Sequence, residues 1–283
     1  MNEFTLPVSA QGGIYRDIST RFMKPVEEAL LEKERNTPKR DYLGASGIGY
    51  LCERRVRFSN GHEEPDVENT EETEEEIEQV VTDKFSPQLL RIFKHGHMIE
   101  EVYAEHFNLA YDLVEVDDNG KQFGFSELDG KFKGHCDGVF MGMRDPYEPV
   151  FDFPALWEHK GLNASGFSQL KQRGLFLSYP HYYAQLNLYA FLIKPVIGGV
   201  ERDLSKNPVI FSAVSKNTDE VHIEAIIPNR ESAIFHYERA KRILEDGGDP
   251  SIAPVYSQDR NHMVCKVCPY RERCHGPDPR TML

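Results

Sequence analysis

The chain has 283 residues, 40% of them hydrophobic, and a net charge of −13 at pH 7. That length supports one large domain, or one domain with an appendage, and no run approaches the roughly 18 apolar residues of a membrane helix, so no membrane partner is expected. The acidic balance weighs at first against a nucleic-acid partner, yet residues 63–79, EEPDVENTEETEEEIEQ, hold ten Asp or Glu and no Lys or Arg, and without them −13 becomes −3.

The opening segment MNEFTLPVSAQGG lacks the basic start and apolar centre of a secretory signal, so a cytoplasmic, reducing location is expected. There, clustered cysteines are more often metal ligands than disulfides. Residues 24–36 read as a helix through Val26, Ala29, Leu30 and Leu31. Ser46 is placed to cap a second helix carrying Cys52, Arg54, Arg55 and Arg57. Residues 61–82 then read as a solvated acidic loop. Ser86-Pro87 opens a strong helix through LLRIFKHGHMIEEVYAEHF, with serine at the cap and proline in the first turn.

After Asn108 the period changes. YDLVEV, GFSEL and KFKGHCDGVFMG read as strands, joined by turns at Asp118-Asn119-Gly120 and Asp129-Gly130. ALWEHKGL reads as another strand. Helices follow over 165–176 and 181–193, split at Pro180. PVIFSAVSK and VHIEAII form a hairpin turning at Asn217, and Asn229 caps a last long helix that ends at Gly247-Gly248. This order predicts an α/β fold with a mixed central sheet flanked by helices. We read it as one domain: a helical part over 1–60, the acidic loop 61–82, a catalytic core over 83–247 and a cysteine-bearing tail over 248–283.

Two sets of residues carry chemistry. Glu158 and Lys160 are two apart on a predicted strand, so both point to one face while His159 points away. Asp137 lies near the end of the preceding strand. If those strands pair, Asp137 and Glu158 can share a Mg²⁺ or Mn²⁺ ion, which favours oxygen ligands. Lys160 can then orient or deprotonate water, or stabilise charge on a phosphate. The bland alternative is a surface ion pair worth under ~1 kcal/mol. The second set is Cys52 with Cys265, Cys268 and Cys274, the last three spaced C-x2-C-x5-C. Four thiolates can hold an iron–sulfur cluster or zinc, and His262 and His275 stand nearby as zinc ligands. Cys136, the fifth cysteine, reads as a small buried residue.

Gly96-x-x-x-Glu100, GHCDGVF, EHK and Gln185-x-x-x-Tyr189 occur in that order. This set resembles the PD-(D/E)XK nuclease superfamily in its RecB-like exonuclease branch. The one-plus-three cysteine frame is similar to that of its iron–sulfur members, the AddB-type nuclease domains and the CRISPR-associated "Cas four" exonucleases, with their virus-encoded relatives. The resemblance implies Asp137 and Glu158 as metal ligands, Lys160 as the catalytic lysine and the backbone carbonyl of His159 as a further ligand. It implies that Gln185 and Tyr189, one helical turn apart, face the site. Glu100 is the extra ligand by its spacing from Gly96, with His97 as runner-up. It also implies a [4Fe–4S] cluster that ties the two chain ends together.

The expectation is a metal-dependent DNA exonuclease acting on single strands or duplex ends. Arg54, Arg55, Arg57, Lys171 and Arg173 are the candidate phosphate contacts. With no motor motif present, a helicase, recombinase or CRISPR-type partner is expected to supply unwinding. A virus-encoded chain would work in the host cytoplasm. The rival is a non-catalytic nucleic-acid-binding or assembly module with a structural metal.

Overall fold

The computed structural model describes residues 19–38, 40–60, 86–145, 148–266 and 268–276, and the acidic run at 63–79 lies outside them. The chain forms two compact units, Met1–Lys39 with Pro65–Lys94, and Arg40–Glu64 with His95–Leu283. In the first, α1 (Ser19–Arg35) begins before residue 24 and accommodates Pro25 inside it. Arg91 pairs with Glu27 of α1 at 2.9 Å.

The second unit holds the sheets. Its five-stranded sheet has the order β10-β9-β6-β5-β2, built from β2 (Tyr111–Val114), β5 (Gly138–Met143), β6 (Ala155–Leu162), β9 (Val209–Ser215) and β10 (Val221–Ile226). Only β6 and β9 run parallel in it, so the sheet is mixed, as expected. A three-stranded sheet orders β1 (Leu43–Gly44), β4 (Phe132–His135) and β3 (Gly124–Glu127) as β1-β4-β3, and the short strands β7 (Val196–Ile197) and β8 (Val200–Glu201) pair with each other. KFKGHCDGVFMG is therefore two strands in two sheets rather than one. The break at Cys136-Asp137 is where the chain passes from one sheet to the other, which puts Asp137 at the start of β5 rather than inside a strand.

Helices supply the rest of the core. The helix opened by Pro87, α4 (Pro87–Phe107), runs into this unit, and Phe107 packs edge-on against Phe140 and Trp157. On the other side lie α5 (Ala164–Ser178) and α6 (Pro180–Leu192). The run Ala184–Ala190 of α6 is buried throughout, which suits a helix apolar on most of its faces. Its one buried amide outside the site, Asn187, accepts from the Asn229 N–H at 2.6 Å. Asn229 in turn caps α7 (Arg230–Glu245), accepting from the Ser232 N–H.

Ser46 does not cap a helix. The segment is broken into α2 (Ala45–Ile48), with Gly44 at its N-cap, and α3 (Glu53–Asn60), with Cys52 just ahead of it. The break has a packing reason: a Cβ on Gly49 would fall 2.5 Å from the Ala184 Cβ and 2.6 Å from the His181 Cα. Bare backbone is needed where this link crosses α6. No helix among the described residues is long and apolar enough to cross a membrane.

Candidate active site

Strand β6 sits at the centre of the larger sheet, covered on both faces, and this buries Glu158 and His159 to 2% exposure each. The period-2 expectation holds. His159 faces away, bonded to Ser212 Oγ at 2.7 Å and stacked on Tyr103 at 4.8 Å. Glu158 and Lys160 share the opposite space, where Lys160 Nζ donates to Glu158 Oε1 at 2.6 Å and to the His159 carbonyl at 2.9 Å. Because β5 and β6 pair with Gly138 opposite Trp157, Asp137 arrives beside Glu158. Its Oδ2 accepts from the His159 N–H at 2.7 Å and lies 3.8 Å from Lys160 Nζ.

Helix α6 contributes the next layer. Gln185 Nε2 donates to Glu158 Oε1 at 2.7 Å and to Tyr189 Oη at 2.9 Å. The turn-apart spacing of these two residues thus becomes a chain of contacts ending on Glu158. Helix α4 contributes Glu100, near enough to Asp137 for that charge to act on it. His97, the runner-up, is exposed.

The electrostatics follow from this crowding. Burial first, then the Asp137 charge, raise Glu158 to about 8 against the pull of Lys160. The same two causes raise Glu100 to about 7. Burial alone would lower Lys160, but the charges of Glu158 and Asp137 outweigh it and hold the ammonium above the ordinary lysine value. Two participants were not foreseen. Glu115, an exposed residue, is raised by partial burial and by the Asp137 charge, which puts it at the edge of the site. Tyr182 puts its ring 5.7 Å from Lys160 Nζ. The only sequence signal for Tyr182 is its place three residues before Gln185.

Several carboxyls thus gather around one ammonium. Glu158 Oε2 and Gln185 Oε1 are buried without a hydrogen-bond partner. Glu158 Oε1, the His159 carbonyl and Asp137 Oδ2 already converge on a cation, the Lys160 ammonium, which here stands where a cation is attracted. That donor set fits a hard divalent ion. As placed, no group of three or more His, Cys, Asp or Glu side chains among the described residues is arranged to hold a metal ion.

The cysteines gather elsewhere. Cys52, Cys265, Cys268 and Cys274 line one pocket with Arg55, Phe58 and His275, and all are free thiols. Cys265 lies on α8 (Met263–Lys266) and Cys274 on α9 (Arg271–His275), with Cys268 in the turn between. Burial raises the thiols of Cys268 and Cys274, while Arg55 and Arg54 respectively pull them back. Four thiols with two guanidiniums beside them fit a thiolate-ligated group. His275 lines the same pocket with its Nε2 buried and unpartnered. Cys136 is fully buried, and burial pushes its thiol well up.

The basic contacts divide. Arg57 is buried at 2% exposure and bonded to Glu53 and Asp246, so it is structural rather than a phosphate contact. Arg54 donates to the carbonyls of Ala253 and Ser251. Lys171 is exposed and paired with Glu220, and Arg173 is exposed on α5. Arg55 lies 3.6 Å over the Tyr50 ring.

No family model and no curated protein matches the chain. A solved structure titled "Crystal structure of SSO0001" is similar over 89% of this chain and 97% of that one, at 15% identity and a TM-score of 0.45.

Proposed function

We propose that the protein is a divalent-metal-dependent deoxyribonuclease of the PD-(D/E)XK kind, acting on DNA ends, with a [4Fe–4S] cluster at Cys52, Cys265, Cys268 and Cys274. The observation that carries the reading is the buried cluster of Glu100, Asp137 and Glu158 around Lys160, with Glu158 Oε2 unpartnered. A buried carboxylate oxygen without a partner is costly, and a cation at Oε2 removes the cost.

In this reading Glu158, Asp137 and Glu100 hold Mg²⁺ or Mn²⁺, with the His159 carbonyl as a further oxygen. The ion, when bound, makes water acidic enough to attack and polarises the phosphate. The ammonium of Lys160 is held protonated, so its part is to offset charge on the phosphate rather than to remove a proton. Its side chain is 24% exposed, which lets it reach from the buried carboxyls toward substrate. Gln185 fixes Glu158, and Tyr189 fixes Gln185. The cysteine cluster takes no part in hydrolysis. It ties the start of α3 to the C-terminal tail, and closing so long a loop stabilises the fold.

A second reading, a non-catalytic nucleic-acid-binding module, is favoured by one fact: Lys160 occupies the oxygens assigned to the ion. One experiment separates the two. The protein is incubated with DNA carrying a label on a single end, with Mg²⁺, Mn²⁺ or chelator. Metal-dependent loss of full-length strand is expected, and intact DNA with both ions overturns the nuclease reading. Iron and acid-labile sulfide are measured on the same preparation. Zinc in their place overturns the cluster assignment.

A further inference from the structure

The two edges of the five-stranded sheet differ. Strand β2 is four residues long and shifts register between Asp112 and Leu113, and short or bulged strands blunt a sheet edge against further pairing. Strand β10 has neither device. It follows β9 in unbroken register over Val221–Ile226, and among the described residues no strand pairs with its outer edge. Its sequence, VHIEAI, holds no Lys or Pro. Its one acid is engaged within the chain: Glu224 accepts from the Leu175 N–H at 3.1 Å and lies 3.1 Å from His222 Nε2. The faces of β10 differ as well. His222 and Glu224 turn toward α5, where Phe167 meets the His222 ring edge-on. Val221, Ile223 and Ala225 alternate to the other face and stay exposed, Ile223 at 51%. The Ser215 N–H donates to the Glu220 carbonyl. By the alternation of an antiparallel ladder, the even-numbered residues of β10 therefore turn their backbone groups to β9, and Val221, Ile223 and Ala225 turn theirs outward.

We propose that a second copy of this chain pairs with β10 edge to edge, antiparallel about a two-fold axis at Ile223, which joins the two five-stranded sheets. The inference is independent of the nuclease reading. A two-fold axis normal to the sheet keeps each face with its like. Centred on Ile223, it sets Ile223 opposite the partner's Ile223, Val221 opposite the partner's Ala225 and His222 opposite the partner's Glu224. An apolar row then forms on one face and unlike polar groups meet on the other, and such cross-strand pairs stabilise a sheet. The outward backbone groups of Val221, Ile223 and Ala225 exchange hydrogen bonds across the axis. Neighbouring registers lose this match. An axis at Glu224 sets Glu224 against the partner's Glu224, and an axis at His222 sets Glu220 against the partner's Glu224; like charges directly opposite are destabilising. A strand from an unrelated protein would satisfy the same backbone groups, but it would leave the self-complementary order of VHIEAI without a reason. The same patch on both copies is what a two-fold contact requires.

The test uses the full-length protein. Light scattering after size exclusion is expected to give twice the chain mass of 32.5 kDa. Ile223→Glu changes an exposed side chain and is expected to give the single-chain mass with an unchanged circular dichroism spectrum. His222→Glu sets like charges opposite each other and should also give a monomer, and adding Glu224→His to it should restore the dimer. Hydrogen exchange read by mass spectrometry supplies an independent measure: residues 221–226 are expected to exchange more slowly in the wild type than in Ile223→Glu. A wild type that is monomeric at every soluble concentration overturns the proposal. Slow exchange at 221–226 in such a monomer would mean that another segment of the chain covers the edge, and fast exchange that the edge is open to a different partner. A dimer that Ile223→Glu leaves intact overturns the proposal by placing the contact elsewhere. A folded double variant that stays monomeric overturns the Ile223-centred pairing.

Discussion

Glu158 carries more of the chemistry than any other residue here. Three constraints meet on it: full burial, a neighbouring Asp137 and a lysine two residues on. At neutral pH its raised value leaves a proton in a space rich in carboxyls, and a divalent ion is the natural replacement for that proton. Metal binding should therefore release protons, and Mn²⁺ affinity should rise with pH through the range of about 7 to 8, where Glu100 and Glu158 give theirs up. Calorimetry in two buffers of different ionisation enthalpy measures the release. The choice between Glu100 and His97 is testable in the same way. Glu100→Gln should weaken Mn²⁺ by about tenfold or more, some 1.4 kcal/mol, whereas His97→Ala should leave it unchanged. The pairing of Glu158 with Lys160 was legible because strand period is local. Glu115 and Tyr182 were not, because what places them near the carboxyls and Lys160 is the meeting of separate elements.

At the scale of elements, the N-terminal part of the second unit is held to the C-terminal part by more than cysteines. Arg57 bridges Glu53 of its own helix to Asp246 and donates to the Asp249 carbonyl. Arg239 donates to the carbonyls of Ile48 and Tyr50, and Arg242 to Glu53. By charge, Arg54, Arg55 and Arg57 all read as phosphate contacts, and burial removes Arg57 from that set. Charge alone cannot distinguish a cation facing solvent from one buried between Glu53 of its own helix and Asp246, 189 residues away. Arg57→Ala should destabilise the protein by about 1–3 kcal/mol, because it removes the buried guanidinium's bonds to Glu53 and Asp246, although Arg242 stays on Glu53. Urea unfolding measures this. Gly49→Ala should cost roughly 1–3 kcal/mol by overpacking against α6. A Gly49→Ala protein as stable as wild type would contradict the close approach of the α2–α3 link to α6. The strand ALWEHKGL and the hairpin around Asn217 were legible to within a residue or two, since burial on both faces or alternation marks them plainly. The two-sheet break at Cys136-Asp137 was not, because nothing in GHCDGVF announces a change of sheet.

At the scale of the whole molecule, the carboxyl cluster should show in stability. A carboxyl raised on folding contributes stability that is complete below its unfolded value, 4.5, and lost as pH rises through its folded value. For Glu100 and Glu158 the loss runs from about 4.5 up to about 7 and 8. Without divalent ions, the melting temperature should therefore fall between about pH 5 and 8 and level off above that. Mn²⁺ should remove most of the fall, and Glu158→Gln should flatten it without metal. A metal-free melting temperature that stays level from pH 5 to 8 would count against the cluster as described.

The central claim, that this cluster hydrolyses DNA, is tested most directly at Lys160. Wild type, Lys160→Ala and Glu158→Ala are compared on end-labelled single-stranded DNA in Mn²⁺, with circular dichroism to confirm folding. The account predicts cleavage by the wild type and a loss of at least about a hundredfold in both folded variants. Cleavage that persists at the wild-type rate in folded Lys160→Ala would contradict it.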